Sequence, residues 1–192
     1  MAKKESTLKN MIICLLTITV VASAALAGVY NMTKEPIASA AIQKKFAAIH
    51  QVIPDFDTLK QLAYLPPDEK DSVYLYFGYK NDSLVGVAVE TYSEKGFSGH
   101  ISIMVGFKAD GTINSIEVLE QKETPGLGTK MTEPSFKDQF KGLDISKLPN
   151  EQVKVNKDQG TIEAITAATI SSRAFCDAVQ RAYQAKKKGG EK

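Results

Sequence analysis

The rhythm of apolar and polar positions changes along this chain, and each rhythm predicts a different element. Residues 10–33 carry no charge, and Met11–Val29 is almost wholly apolar or small. A run of that length crosses a hydrocarbon layer of roughly 30 Å as a helix, so Met11–Val29 reads as a single transmembrane span. From Glu35 to about Val52, the residues Ile37, Ala41, Ile42, Phe46, Ile49 and Ile53 form an apolar stripe at helical spacing. That helix can continue the span as a stalk, with Pro36 acceptable in a first turn. Pro54-Asp55-Phe56-Asp57 stops it, and Leu65-Pro66-Pro67-Asp68 reads as loop. The middle of the chain is strand-like. Residues 73–79 and 84–92 flank the turn Asn81-Asp82-Ser83, and residues 101–107 and 113–120 flank Ala109-Asp110-Gly111. Further on, Phe136 to Lys141 predicts a short helix with Ser135 as its cap, and 153–155 and 161–165 predict short strands. From Ile170 the helical period returns through Ala174, Phe175, Ala178, Val179, Ala182 and Tyr183. Two hairpins between helices make the class α+β, an antiparallel sheet with flanking helices. The predicted organisation is a tail (1–10), a transmembrane helix (11–29), a juxtamembrane helical stalk (30–54) and one domain (55–192).

Charge and cysteine usage narrow the picture. Lys3, Lys4 and Lys9 against Glu5 place the tail in the cytoplasm by the positive-inside tendency, which exports everything after Tyr30. A cleaved signal peptide is the competing reading, because Ala22-Ser23-Ala24 and Ala25-Leu26-Ala27 are small-x-small sites. The apolar run is longer than the roughly 7–15 residues of a signal core, which favours retention. Outside tail and span, acidic and basic side chains are equal in number, so no nucleic-acid footprint is present. Cys14 and Cys176 are the only cysteines, one in the span and one in the last helix, so the exported domain has no internal disulfide to form. His50 and His100 have no neighbour at metal-ligand spacing, and there is no Gly-x-Ser-x-Gly elbow. No metal is expected and no residue is assigned a catalytic role.

Two stretches carry candidate chemistry. Thr166-Ala167-Ala168-Thr169-Ile170-Ser171-Ser172 runs into the last helix, where unpaired N–H groups and the positive end of the dipole suit a phosphate. The same hydroxyls also suit plain helix caps. In Glu123-Thr124-Pro125-Gly126-Leu127-Gly128-Thr129, the proline and paired glycines fix a loop path that brings backbone N–H groups against a ligand, or simply makes a tight turn.

The first stretch resembles the flavin-attachment motif of the FMN-binding domain family, shared by the G-subunit of the Rnf ion-translocating electron-transport complex and the C-subunit of the sodium-pumping NADH:quinone reductase. In that family a flavin transferase esterifies the phosphate of FMN onto the threonine closing a Ser/Thr-Gly-Ala-Thr run, which falls at Thr169. The family pattern has aspartate at Glu163 and glycine at Ala167. Glu-Thr-Pro-Gly-Leu-Gly, followed by Phe136 and Gln139-Phe140, matches the family over six successive residues, and 30–37 is similar to the segment after the anchor in the Rnf G-subunit. The resemblance implies covalent FMN on Thr169, with Thr166, Ala167, Ala168, Ser171 and Ser172 around it. It also implies that Glu123, Thr124, Leu127, Gly128 and Thr129 contact the isoalloxazine ring or ribityl chain. Gly96-Phe97-Ser98-Gly99-His100 resembles a glycine-aromatic-x-glycine segment that in the family precedes a strand near the flavin, which implies a supporting role, although its two glycines also suit a plain turn; it is assigned no chemistry. The implied function is that of an electron-carrying subunit of an Rnf-type complex that couples ferredoxin/NAD electron transfer to sodium or proton translocation. The implied partners are the other membrane subunits, the flavin transferase and the lipid bilayer. The location is a bacterial inner membrane, crossed once, with the domain on the periplasmic or extracellular side. Alternatives are the quinone-reductase C-subunit, a flavin-free membrane-anchored assembly protein, and a cleaved soluble flavoprotein.

Overall fold

The computed structural model describes residues 7–65 and 72–189. The tail lysines Lys3 and Lys4, and Pro66-Pro67-Asp68 of the expected loop, lie outside the described residues. The chain divides into two compact units, residues 1–43 and 44–192.

Helix α1, Leu8–Val52, is one continuous helix of 45 residues, so its apolar stretch and the stripe beginning at Ile37 belong to one element. Pro36 lies inside it, not in a first turn. An interior proline forgoes one i→i−4 hydrogen bond and crowds the preceding turn. The apolar stretch is long enough to cross a membrane and is not buried within the structure.

The second unit contains five strands, β1 (Thr58–Tyr64), β2 (Val73–Lys80), β3 (Ser83–Gly96), β4 (Gly99–Lys108) and β5 (Ile113–Gln121). They form one antiparallel meander in chain order. Asn81 and Asp82 hold positive φ between β2 and β3, which a two-residue hairpin needs and these residue types tolerate. Strand β1 departs from the expectation of two hairpins alone. Its sequence lacks alternation because it is a mostly exposed edge strand, paired from Thr58↔Tyr79 to Tyr64↔Val73, with Lys60 on the edge.

One face of the sheet packs on α3 (Thr169–Gly189). Leu75, Val87, Val89, Ile101, Ile103, Val105 and Phe107 meet Phe175, Ala178 and Val179 there. Phe136, Phe140 and Phe175 close this core with ring centroids 5.2–5.7 Å apart. Residues 48–53 cover the other face through Ala48, Ile49, Val52 and Ile53 against Tyr76, Ala88 and Met104. Gly106 allows this approach, because a Cβ there would collide with the Val52 carbonyl, which accepts a hydrogen bond from Asn114 Nδ2 at 2.9 Å.

The connection from β5 to α3 differs from expectation in two places. The predicted helix at Phe136 is a single turn, α2 (Pro134–Lys137), followed by a 3₁₀ turn at Asp138–Phe140. Glu133 stands at its N-cap, and Ser135 is inside the helix because Pro134 takes the first helical position. The predicted strands at 153–155 and 161–165 reduce to one parallel bridge, Val155↔Ile162. Their alternation reflects burial of Val153, Val155, Ile162 and Ile165 in the α3 core, not pairing in a sheet.

Candidate functional site

The loop after β5 is held by its own polar groups. Leu127 N–H donates to Thr124 O at 3.1 Å, Thr129 Oγ1 accepts from Gly126 N–H at 2.9 Å, and Gly126 takes a φ of 75°. Thr129 is thus a brace within the loop. Glu123, 5% exposed, accepts from the Ser98 N–H through Oε1 at 3.2 Å and from the Ser171 hydroxyl through Oε2 at 2.8 Å.

The second motif enters α3 through a tight turn. Ala168 N–H donates to Ile165 O at 3.0 Å, and Ala167 has φ 62°. A positive φ at the third position of a turn favours glycine, which accounts for the glycine expected at this position. Ser172 locks the turn, its hydroxyl accepting from Ile165 N–H at 2.9 Å and donating to Ala168 O at 3.0 Å. None of the three hydroxyls therefore acts as the simple helix cap that the sequence also permits. Ser171 reaches Glu123, Ser172 grips the turn, and Thr169 Oγ1 accepts from Lys157 Nζ at 3.0 Å. Lys157 is placed by a 3₁₀ turn, Asn156–Asp158, whose Asp158 is clamped by Arg173 of α3 through two bonds of 2.7 Å. That guanidinium holds the Asp158 carboxyl below its usual range, chiefly by hydrogen bonding and then by charge.

The two motifs share one cavity of about 310 Å³, lined by Phe97, Glu123, Thr124, Leu127, Gly128, Ala167, Ala168, Thr169, Ile170 and Ser171. Phe97, Leu127 and Ile170 are 67%, 40% and 49% exposed and form an apolar rim. Thr129 and Ser172 are not part of the lining, and Thr166 lines a separate hollow of about 260 Å³ with Gln139 and Glu163. Gln139 grips the Glu163 backbone there, accepting from its N–H at 2.7 Å and donating to its carbonyl at 3.3 Å. A larger open groove of about 800 Å³ beside α3 is walled by ion pairs such as Lys95–Asp177 and Lys187–Glu151, and it contains neither motif. The smaller cavity is the better candidate, being apolar with a few convergent polar groups.

A family of FMN-binding domains matches residues 96–184, a stretch that starts at the β3–β4 turn and contains both motifs. The G-subunit of the ion-translocating oxidoreductase complex of Aliivibrio fischeri is 30% identical over 92% of this chain and 89% of its own length. The corresponding protein of Salmonella typhi is 36% identical over 83% of this chain and 82% of its own. The chain belongs to the G-subunit family of ion-translocating oxidoreductase complexes. Among solved structures, NqrC of Shewanella oneidensis is 23% identical with a TM-score of 0.47, over 71% of this chain and 66% of that one.

The lining of this cavity fits FMN. Phe97, Leu127, Ala168 and Ile170, with Gly128 adding no side chain, offer apolar surface to a flat ring. The Thr169 hydroxyl, the Lys157 ammonium and the start of α3 offer polar and positive groups to a phosphate. Three residues to which the sequence assigned no binding role stand here, Phe97 and Ile170 in the cavity lining and Lys157 against Thr169. A lysine twelve positions before Thr169 is indistinguishable from the other lysines until the fold brings it round.

Proposed function

We propose that this chain is the FMN-bearing, electron-carrying subunit of a membrane-bound ion-translocating oxidoreductase complex, with its flavin held as a phosphoester on Thr169. The observation that carries the reading is the single cavity onto which Thr169 and the Glu-Thr-Pro-Gly-Leu-Gly loop both open. FMN supplies one- and two-electron transfer when bound, and the protein supplies position and electrostatics. Phe97, Leu127 and Ile170 pack the ring, Thr124 and the Gly128 backbone border it, and Lys157 with the α3 dipole balances the phosphate charge. The Thr169 oxygen displaces the nucleoside monophosphate from the FMN phosphorus of a flavin dinucleotide donor, the phosphoanhydride bond breaks and the leaving group carries off the hydroxyl proton; a flavin transferase catalyses this exchange, and the protein's net gain is one FMN less one water. The linkage prevents loss of the cofactor on a side of the membrane where it could not be replaced.

The apolar part of α1 anchors the protein, with the lysine-bearing tail in the cytoplasm and residues 44–192 on the periplasmic or extracellular face. The other membrane subunits of the complex are its electron donors and acceptors, and ion translocation belongs to the assembly, not to this chain alone.

Protein produced with a flavin transferase is expected to show the FMN-minus-water mass on a peptide containing Thr169, with ultraviolet-excited fluorescence in a denaturing gel. Thr169→Val is expected to remove both. Unmodified wild-type protein, or an unchanged mass gain in Thr169→Val, would falsify the reading.

A further inference from the structure

We propose that Glu123 is a positioning residue and not a flavin contact: its carboxylate ties the three segments that wall the cavity into one unit. Both of its oxygens are already engaged, Oε1 by the Ser98 N–H of the β3–β4 turn and Oε2 by the Ser171 hydroxyl in the first turn of α3. Glu123 belongs to the loop after β5, so one side chain joins the aromatic-tipped turn, the loop and the helix that carries Thr169.

The surroundings are built for the carboxylate. A Cβ added at Gly96 would stand 2.6 Å from Oε1, and one added at Gly128 would stand 2.6 Å from Oε2 and 2.7 Å from the Ser171 hydroxyl. Glycine at 128 is therefore needed to admit the carboxylate and its Ser171 partner, a reason independent of any flavin, whereas at Gly96 the Gly99 carbonyl stands closer still and requires glycine by itself. The residue is 5% exposed, and among the described residues no lysine, arginine or histidine forms an ion pair with it. A buried carboxyl with no cation depends on its neutral donors, so losing either donor leaves an oxygen without a partner. Gln121 orients the residue from the backbone side, its Oε1 accepting from Glu123 N–H at 2.7 Å. Thr124, next along, is left to face the cavity.

The tie itself is independent of the FMN reading; its consequence for the ring rests on that reading. In flavin-free protein, amide hydrogen exchange at Ser98 and Ser172 is compared among wild type, Glu123→Ala, Glu123→Gln and Ser171→Ala. Glu123→Ala is expected to speed exchange at both amides by about tenfold or more, as loss of a charge-assisted bond implies. Ser171→Ala is expected to speed exchange at Ser172 alone, Glu123→Gln is expected to fall between, and combining Ser171→Ala with Glu123→Ala is expected to add little to Glu123→Ala at Ser172. In FMN-loaded protein, Glu123→Ala and Ser171→Ala are expected to shift the flavin absorption bands in the same direction and lower the fluorescence anisotropy, with the cofactor still on Thr169 by mass. Unchanged exchange at both amides in Glu123→Ala overturns the proposal. So does a shifted spectrum in Glu123→Gln with both amides still protected, since that marks a direct contact with the ring. If Glu123→Ala does not fold, unchanged Ser172 exchange in Ser171→Ala overturns it instead. Wild-type protein that takes up no FMN defeats the FMN reading alone, and the exchange measurements still decide the tie.

Discussion

At Ala167 a residue with a Cβ occupies a backbone conformation that glycine adopts freely, with φ 62°. The left-handed region costs an L-residue roughly 1–2 kcal/mol, partly offset because glycine loses more freedom on folding. Ala167→Gly is therefore expected to raise stability by about 0.5–1 kcal/mol, read as a higher midpoint in urea, without loss of flavin attachment. Lys157 is the other informative residue. It is exposed and its ammonium touches the hydroxyl that the proposed ester would occupy. Lys157→Gln is expected to lower the fraction of protein flavinylated in a fixed time severalfold while leaving the unfolding free energy from urea titration within about 0.5 kcal/mol of wild type, since surface changes rarely cost more. An equal flavinylation rate in the variant would leave Lys157 as a simple surface contact. Glu163, by contrast, is exposed, so a side chain one methylene longer than the aspartate that the resemblance led one to expect is accommodated in the open.

Among elements, the decisive contact is between the sheet and the end of α1. Val52 ends that helix over Gly106 of β4, with Asn114 of β5 donating to its carbonyl. Gly106→Ala would drive a methyl into that carbonyl, which is backbone and cannot swing aside. A loss of about 2–4 kcal/mol is expected in chemical denaturation, at the upper end of overpacking effects. Cavity geometry should change little in the fraction that remains folded, because Gly106 lies on the face opposite the α3 core. On the α3 side the helix is tied to β3 by polar bonds as well as packing, with Ser93 donating to Asp177 at 2.7 Å and Thr91 to the Ala178 carbonyl at 3.4 Å. These bonds satisfy two buried hydroxyls that would otherwise cost stability within an apolar layer.

For the second unit as a whole, burial sets the chemistry of its one cysteine. Cys176 is 3% exposed, and desolvation, aided by Asp158 and Asp177, pushes its thiol up to about 12. The unfolded thiol titrates near about 8.5, so the folded state holds the proton more tightly. That contribution to stability is fully present below about pH 8.5 and is lost as pH rises towards about 12. In a Cys14→Ser background, disulfide-exchange reagent at about pH 8 is expected to react with the native thiol about a thousandfold more slowly than with the unfolded one, from the thiolate fractions alone. Comparing urea midpoints of wild type and Cys176→Ala between about pH 8 and 11 checks the sign: the difference should move against wild type as pH rises.

Local pattern was sufficient for both hairpins and α3, because each buries one face and so writes its period into the sequence; the apolar stretch of α1 buries no face and was legible from its length and composition alone. The two glycine- and hydroxyl-bearing stretches entered through resemblance to a flavin-binding family, whose match over residues 96–184 contains both. Local pattern was insufficient for β1, an exposed edge with no face to bury, and it mistook the buried valines and isoleucines at 153–165 for paired strands. Only tertiary structure decided that the two motifs share a cavity, that Lys157 meets Thr169, and that Glu123 commits its carboxylate to Ser98 and Ser171. Those facts depend on which segments lie side by side after the meander closes and α3 docks on it. Residues far apart in the chain acquire such neighbours from packing, which no local period encodes.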